Sequence, residues 1–148
     1  MSYQEKKSIS SIIFSLIGFV IYYLYVLQVY EGRTLDLEGE FSFWAAVILI
    51  FVPVSVVIKV VGTILFAIFY AITTREELPS ITDEFDRLIE LKSTKVFSIV
   101  FSAGFFLAMG ALVMDYGPLV MFQVMLFSMV VAGICIDLSQ IYYYRRGF

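Results

Sequence analysis

An all-α membrane protein, built as an antiparallel four-helix transmembrane bundle with both termini in the cytoplasm, is predicted by three features of this chain. It is too apolar for water: 61% of its 148 residues are hydrophobic and 18% aromatic, with a mean hydropathy of +0.92. Polar groups cannot cover such a surface, so lipid must solvate much of it. The apolar residues fall into four runs, each long enough for the roughly 20 helical residues that cross a hydrocarbon core. The basic residues gather on one side of those runs. The chain reads as a single transmembrane domain, 1–148.

The first run, ISSIIFSLIGFVIYYLYVLQVY, covers about 9–30. It exceeds the apolar region of a signal peptide and no A-x-A-like site follows it, so an uncleaved first span is expected. Ser8, Ser11, Ser15 and Gly18, then Tyr22, Tyr25 and Val29, form a heptad stripe along it. Small residues at such spacing mark a face where helices approach closely. The stripe predicts a packed face within the bundle or, as an alternative, the seam of a homodimer.

The second run begins near Phe41 and lasts to about Thr73. At 1.5 Å per residue it is longer than the core is thick, so it must tilt, bend at Pro53 or protrude. The third, 96–114, and the fourth, about 118–141, are joined only by DYGP. There Gly117 suits a left-handed cap and Pro118 the first turn of the next helix. Gly104 with Ala108, and Ser128 with Ala132, repeat the small-residue spacing.

Ahead of the third span, Ser80 with Asp83 fits an N-cap, and Asp83, Glu84 and Asp86 place negative charge where a helix N-terminus favours it. A helix starting near residue 81 is expected to run unbroken into the span. Asp83 and Arg87 form an i,i+4 pair, and Ile81, Phe85 and Leu88 an apolar stripe. A capped amphipathic entrance to a transmembrane helix accounts for this segment. The sharper alternative is a carboxylate cluster of Asp83, Glu84, Asp86 and Glu90 binding a divalent cation. One short helix directs successive side chains about 100° apart, so it supplies too few converging oxygens by itself.

Orientation follows from Lys and Arg. Lys6 and Lys7 precede the first span, Arg75, Arg87, Lys92 and Lys95 lie between the second and third, and Arg145 and Arg146 end the chain. Only Arg33 lies on the other side. Both termini are therefore expected in the cytoplasm. Trp44, Tyr30, Phe41 and Tyr116 are expected near the outer interface, and Tyr142, Tyr143 and Tyr144 near the inner one.

Lys59 and Asp137 are the ionisable residues inside apolar runs, where charge is costly and seldom faces lipid. Each lies about 28 Å below the outer end of its span, so the two arrive at one level. They read as a pair docking two spans, as independent residues at the boundary, or as a proton, ion or ligand site. Gln28, Gln123, Ser139 and Gln140 are candidates to join them.

The net charge of -3 excludes a basic nucleic-acid surface. With no histidine and a single cysteine, Cys135, the usual zinc spacings, haem ligation and an intrachain disulfide are all absent. No catalytic residue, metal or cofactor is expected.

Three segments carry a resemblance: DEFDRLIELKSTK (83–95), KVVG late in the second span, and DLSQIYYYRRGF at the end. Together they resemble a family of small four-span bacterial inner-membrane proteins, classed as a domain of unknown function, with a D-E-x-D-x-L-I-E-L-K stretch before the third span. The resemblance covers essentially the whole chain. It implies a helical bundle whose genes often lie beside a helix-turn-helix regulator, and hence the membrane partner of a regulatory or stress-response pair. The matching residues are Asp83, Glu84, Asp86, Arg87, Glu90, Lys92, Asp137, Arg145 and Arg146; where family members tend to carry a basic residue, this chain has Phe85.

The expected function is thus interaction, as a sensory, anchoring or regulatory accessory protein. Asp83, Glu84, Asp86, Arg87, Glu90, Lys92, Arg145 and Arg146 form its cytoplasmic surface, with a protein partner or a second copy as its target. The alternative is a small oligomeric transporter or channel using Asp137 and Lys59.

Overall fold

The computed structural model describes residues 3–74 and 84–146. They form four α-helices and no strand: α1 (Tyr3–Glu31), α2 (Leu37–Thr74), α3 (Glu84–Val113) and α4 (Pro118–Arg146). All four are long and apolar enough to cross a membrane. Glu5 of α1 lies 3.8 Å from Arg145 of α4, and Tyr3 stacks edge-on against Tyr70 of α2. Both chain ends therefore share one end of an antiparallel bundle, and the α1–α2 and α3–α4 connections share the other.

Local chemistry sets the helix boundaries. Asp36 caps α2, its carboxylate accepting the Gly39 N–H at 3.0 Å while its carbonyl accepts the Glu40 N–H at 2.9 Å. Such a cap contributes about 1 kcal/mol and, with Glu38 and Glu40 in the first turn, starts α2 one turn before the expected Phe41. α2 continues through Pro53. The missing N–H leaves the Leu49 carbonyl without its usual helical donor, while the Ser55 hydroxyl bonds the Val52 carbonyl at 2.7 Å.

At the end of α3 the Tyr116 N–H reaches the Ala111 carbonyl and the Asp115 N–H reaches that of Leu112, both at 3.2 Å. This is a Schellman closure, and its left-handed residue is Asp115 (φ 60). Gly117 is also left-handed (φ 86), but it shapes the approach to Pro118 rather than closing α3. The expected cap at Ser80 and Asp83, with the Asp83–Arg87 pair, lies outside the described residues.

α4 is the hub: it packs against each of the other helices, whereas the α3 backbone approaches that of α4 and not those of α1 or α2. Three glycines permit the closest crossings. A Cβ on Gly18 would come within 2.5 Å of Ile58, one on Gly62 within 3.0 Å of Phe14, and one on Gly104 would collide with Ser128. Beside the last crossing Ala108 and Ala132 are fully buried, so the small-residue spacing of both runs forms the α3–α4 interface.

The apolar core, Phe19, Val26, Trp44, Val47, Phe51 and Leu126, fills the loop end of the bundle. The Tyr22 hydroxyl donates to the Val47 carbonyl there at 2.6 Å. Trp44 is 1% exposed, packed on Tyr30 and Phe43. One expectation is corrected. The stripe along α1 leaves heptad register after Tyr22: Val26 is buried and Tyr25 is 64% exposed, because a straight helix repeats every 3.6 residues and drifts from a 3.5-residue pattern.

Candidate functional site

A polar layer crosses the bundle between this core and the chain ends. Asp137 on α4 is its centre: it accepts from the Ser11 hydroxyl of α1 at 3.0 Å and lies 3.5 Å from the Lys59 ammonium of α2. One turn further along, Ser8 donates to Gln140 at 3.1 Å. The two charges differ in access, since the Asp137 side chain is 6% exposed and that of Lys59 38%. The carboxylate is thus hidden behind the ammonium. Of the other candidate polar groups, Ser139 bonds its own helix at the Cys135 carbonyl, Gln123 lines a groove between α3 and α4 nearer the loops, and Gln28 is exposed.

A second set of contacts ties the helix ends together. The Tyr144 hydroxyl of α4 donates to Asp86 of α3 at 2.7 Å, and the Gln4 amide reaches the other Asp86 oxygen at 3.5 Å. Burial, and then the bond to Asp86, push the Tyr144 pKa well above the ordinary tyrosine value, so the phenol keeps the proton it donates. Lys92 lies over the Tyr143 ring, Lys6 over Tyr70 and Arg146 over Tyr142. Within the expected interaction surface, Asp86 therefore works inward, as a tie between helices. Glu84, Arg87, Glu90, Lys92, Arg145 and Arg146 are exposed, and Asp83 is outside the described residues.

The level of the polar layer is set by α3. Along the α3–α4 interface, Gly104 faces Ser128 and Asp86 faces Tyr144, which puts Asp137 level with the stretch between Lys92 and Lys95. That is where α3 becomes charged. Beyond this level α2 alone remains apolar, running on from Val60 to Thr74 for about 20 Å. Ile64, Leu65, Ile68, Phe69 and Ile72 stay exposed there, Phe69 at 68% and Ile72 at 74%. The length of the second run required a tilt, a bend or a protrusion; its exposed apolar face beside charged neighbours appears only once the helices are placed.

On the other side of the layer is a cavity of about 220 Å³ to which all four helices contribute. Phe51 and Met129 bound its end nearer the apolar core and Lys59 its end nearer the chain termini, with Ser15, Phe97 and Gly133 on the walls. Most of its lining comes from α2 and α4, with Ser15 of α1 and Phe97 of α3 contributing one residue each, and the α2 and α3 backbones do not approach each other. The Ser15 hydroxyl is buried there with no hydrogen-bond partner among the described residues. Gly133 sits in this wall, and a Cβ on it would have no neighbour within 4 Å. Nothing in the spacing of α4 distinguishes it from the glycines that serve packing.

Among the described residues no three His, Cys, Asp or Glu side chains converge as metal ligands. No protein-family model, curated protein or solved structure matches the chain.

Proposed function

We propose that this is a multi-pass protein of the bacterial inner membrane, with both termini in the cytoplasm, that acts by binding another protein as a sensory or regulatory accessory subunit. The observation that carries the reading is the α2 extension. An exposed row of Ile64, Leu65, Ile68, Phe69 and Ile72 continues past the level where the neighbouring helices become charged. Apolar surface of this extent outside lipid marks an interaction site. Glu84, Arg87 and Glu90 on α3, with Arg145 and Arg146 on α4, supply a charged rim on the same end, the composition expected around an apolar contact. The side is supported by the Lys and Arg distribution, and the inner membrane by the four-span bacterial family that the chain resembles.

The test is site-specific photocrosslinking in cells, with the reactive residue at Phe69, at Arg87 and, as a lipid-facing control, at Leu107. A discrete protein adduct at the first two positions and none at the third is the expected result. Adducts at none of them, or equally at all three, reject the reading.

A second reading, a small oligomeric transporter or channel, is favoured by one observation: a buried acid, Asp137, held by Ser11 and Lys59. Proton-coupled sites use such groups. Ion flux in proteoliposomes that is abolished by Asp137→Asn supports it; flux that is absent or unaltered removes it.

A further inference from the structure

We propose that the cavity walled mainly by α2 and α4 takes one acyl chain of an anionic phospholipid from the surrounding bilayer, with the lipid phosphate on the Lys59 ammonium. The inference is independent of the protein-binding reading.

Three observations converge on it. The first is Gly133. The glycines at 18, 62 and 104 each lie where a Cβ would strike a neighbouring helix, whereas a Cβ on Gly133 would meet nothing within 4 Å. Helix packing does not need a glycine there, and its bare backbone leaves that part of the cavity wall open. The second is shape. From Phe51 to Lys59 the cavity follows α2 for about 12 Å at the helical rise. Its volume of about 220 Å³ is below the roughly 300–1,000 Å³ of pockets for compact drug-sized ligands, and it suits a single extended hydrocarbon chain. No backbone contact between α2 and α3 closes the bundle on that side, so such a chain can reach the cavity from lipid.

The third is charge. Lys59 stands at the end of the cavity nearest the chain termini, level with the charged stretch of α3, which is the depth of headgroups rather than of tails. Its side chain is 38% exposed, while the carboxylate that neutralises it is 6% exposed and also bonded to Ser11. A lipid in the cavity therefore meets the ammonium and not the acid. An ammonium has three N–H donors, and Asp137 takes one. Charge-assisted bonds to phosphate use the others.

The experiment is native mass spectrometry of the full chain, extracted in mild detergent after reconstitution into vesicles of equimolar phosphatidylglycerol and phosphatidylethanolamine. The parent protein is expected to retain one phosphatidylglycerol in preference to phosphatidylethanolamine. Gly133→Leu, whose Cβ meets no neighbour within 4 Å and whose side chain extends into the cavity, should lower that retention by about tenfold. Gly110→Leu, at a position where a Cβ is likewise free of neighbours but outside the cavity, should leave it unchanged. Lys59→Gln should erase the preference between the two lipids; if that variant does not fold, Gly133→Leu decides. Equal retention by the parent and Gly133→Leu, no preference in the parent, or no retained lipid overturns the proposal.

Discussion

The Lys59 ammonium of α2 lies 3.5 Å from the Asp137 carboxylate of α4, and Asp137 is also bonded to Ser11 of α1. Three helices thus meet at one buried acid. Because Asp137 is enclosed and Lys59 is partly exposed, losing either partner has unequal consequences. Lys59→Met strands a buried carboxylate, a change that costs on the order of 3–5 kcal/mol. Asp137→Asn leaves a lysine that can extend to headgroups and keeps a group able to bond Ser11. Thermal unfolding in detergent should therefore show the larger loss for Lys59→Met. Combining Lys59→Met with Asp137→Leu should recover most of it.

Two glycine-to-alanine changes should have opposite signs. Gly104→Ala forces α3 away from Ser128, and α4 is the helix whose backbone α3 approaches, so a loss of about 2 kcal/mol is expected. Adding Ser128→Gly should restore part of the loss. Gly133→Ala meets no neighbour and should raise stability by up to about 1 kcal/mol through helix propensity alone. Paired melting curves check both signs.

Tyr144→Phe removes the bond that ties the start of α3 to the end of α4. A loss of about 1 kcal/mol is expected, given the partial exposure of the pair. Hydrogen exchange should rise in residues 84–90 and stay constant at the loop end. Since the Tyr144 pKa is raised in the folded chain, the contribution is complete below the ordinary tyrosine value of about 10 and is lost as pH climbs through the folded value. The gap between parent and Tyr144→Phe should therefore be constant at neutral pH and close under strong alkali.

Asp36→Ala tests the cap that starts α2. It removes the acceptor for the Gly39 N–H and should cost about 1 kcal/mol. Faster exchange should be confined to residues 37–40.

Much of this architecture was legible in the sequence because bilayer thickness and helical rise constrain it directly. Four apolar runs became four helices, and DYGP became the tight turn before Pro118. The level shared by Lys59 and Asp137 followed from counting residues below each outer end. Details set by neighbouring elements were not legible. That Trp44 is buried shows only once Tyr30 and Phe43 are packed around it. Asp86 reads as surface charge until Tyr144 is placed opposite. The glycines at 104 and 133 look alike in sequence, and only the positions of Ser128 on one side and empty space on the other separate a packing contact from a cavity wall. The exposed end of α2 is likewise a property of where its neighbours turn polar.

Reaction with a membrane-impermeant maleimide tests the central claim most directly, because the proposed protein-binding face and the polar layer are useful to a cytoplasmic partner only if the chain ends lie inside the cell. In a background with Cys135 replaced by Ala, Thr34→Cys in the α1–α2 connection should react in intact cells, and Arg146→Cys should react only after the membrane is opened. Labelling of Arg146→Cys in intact cells, with Thr34→Cys protected, would contradict the account.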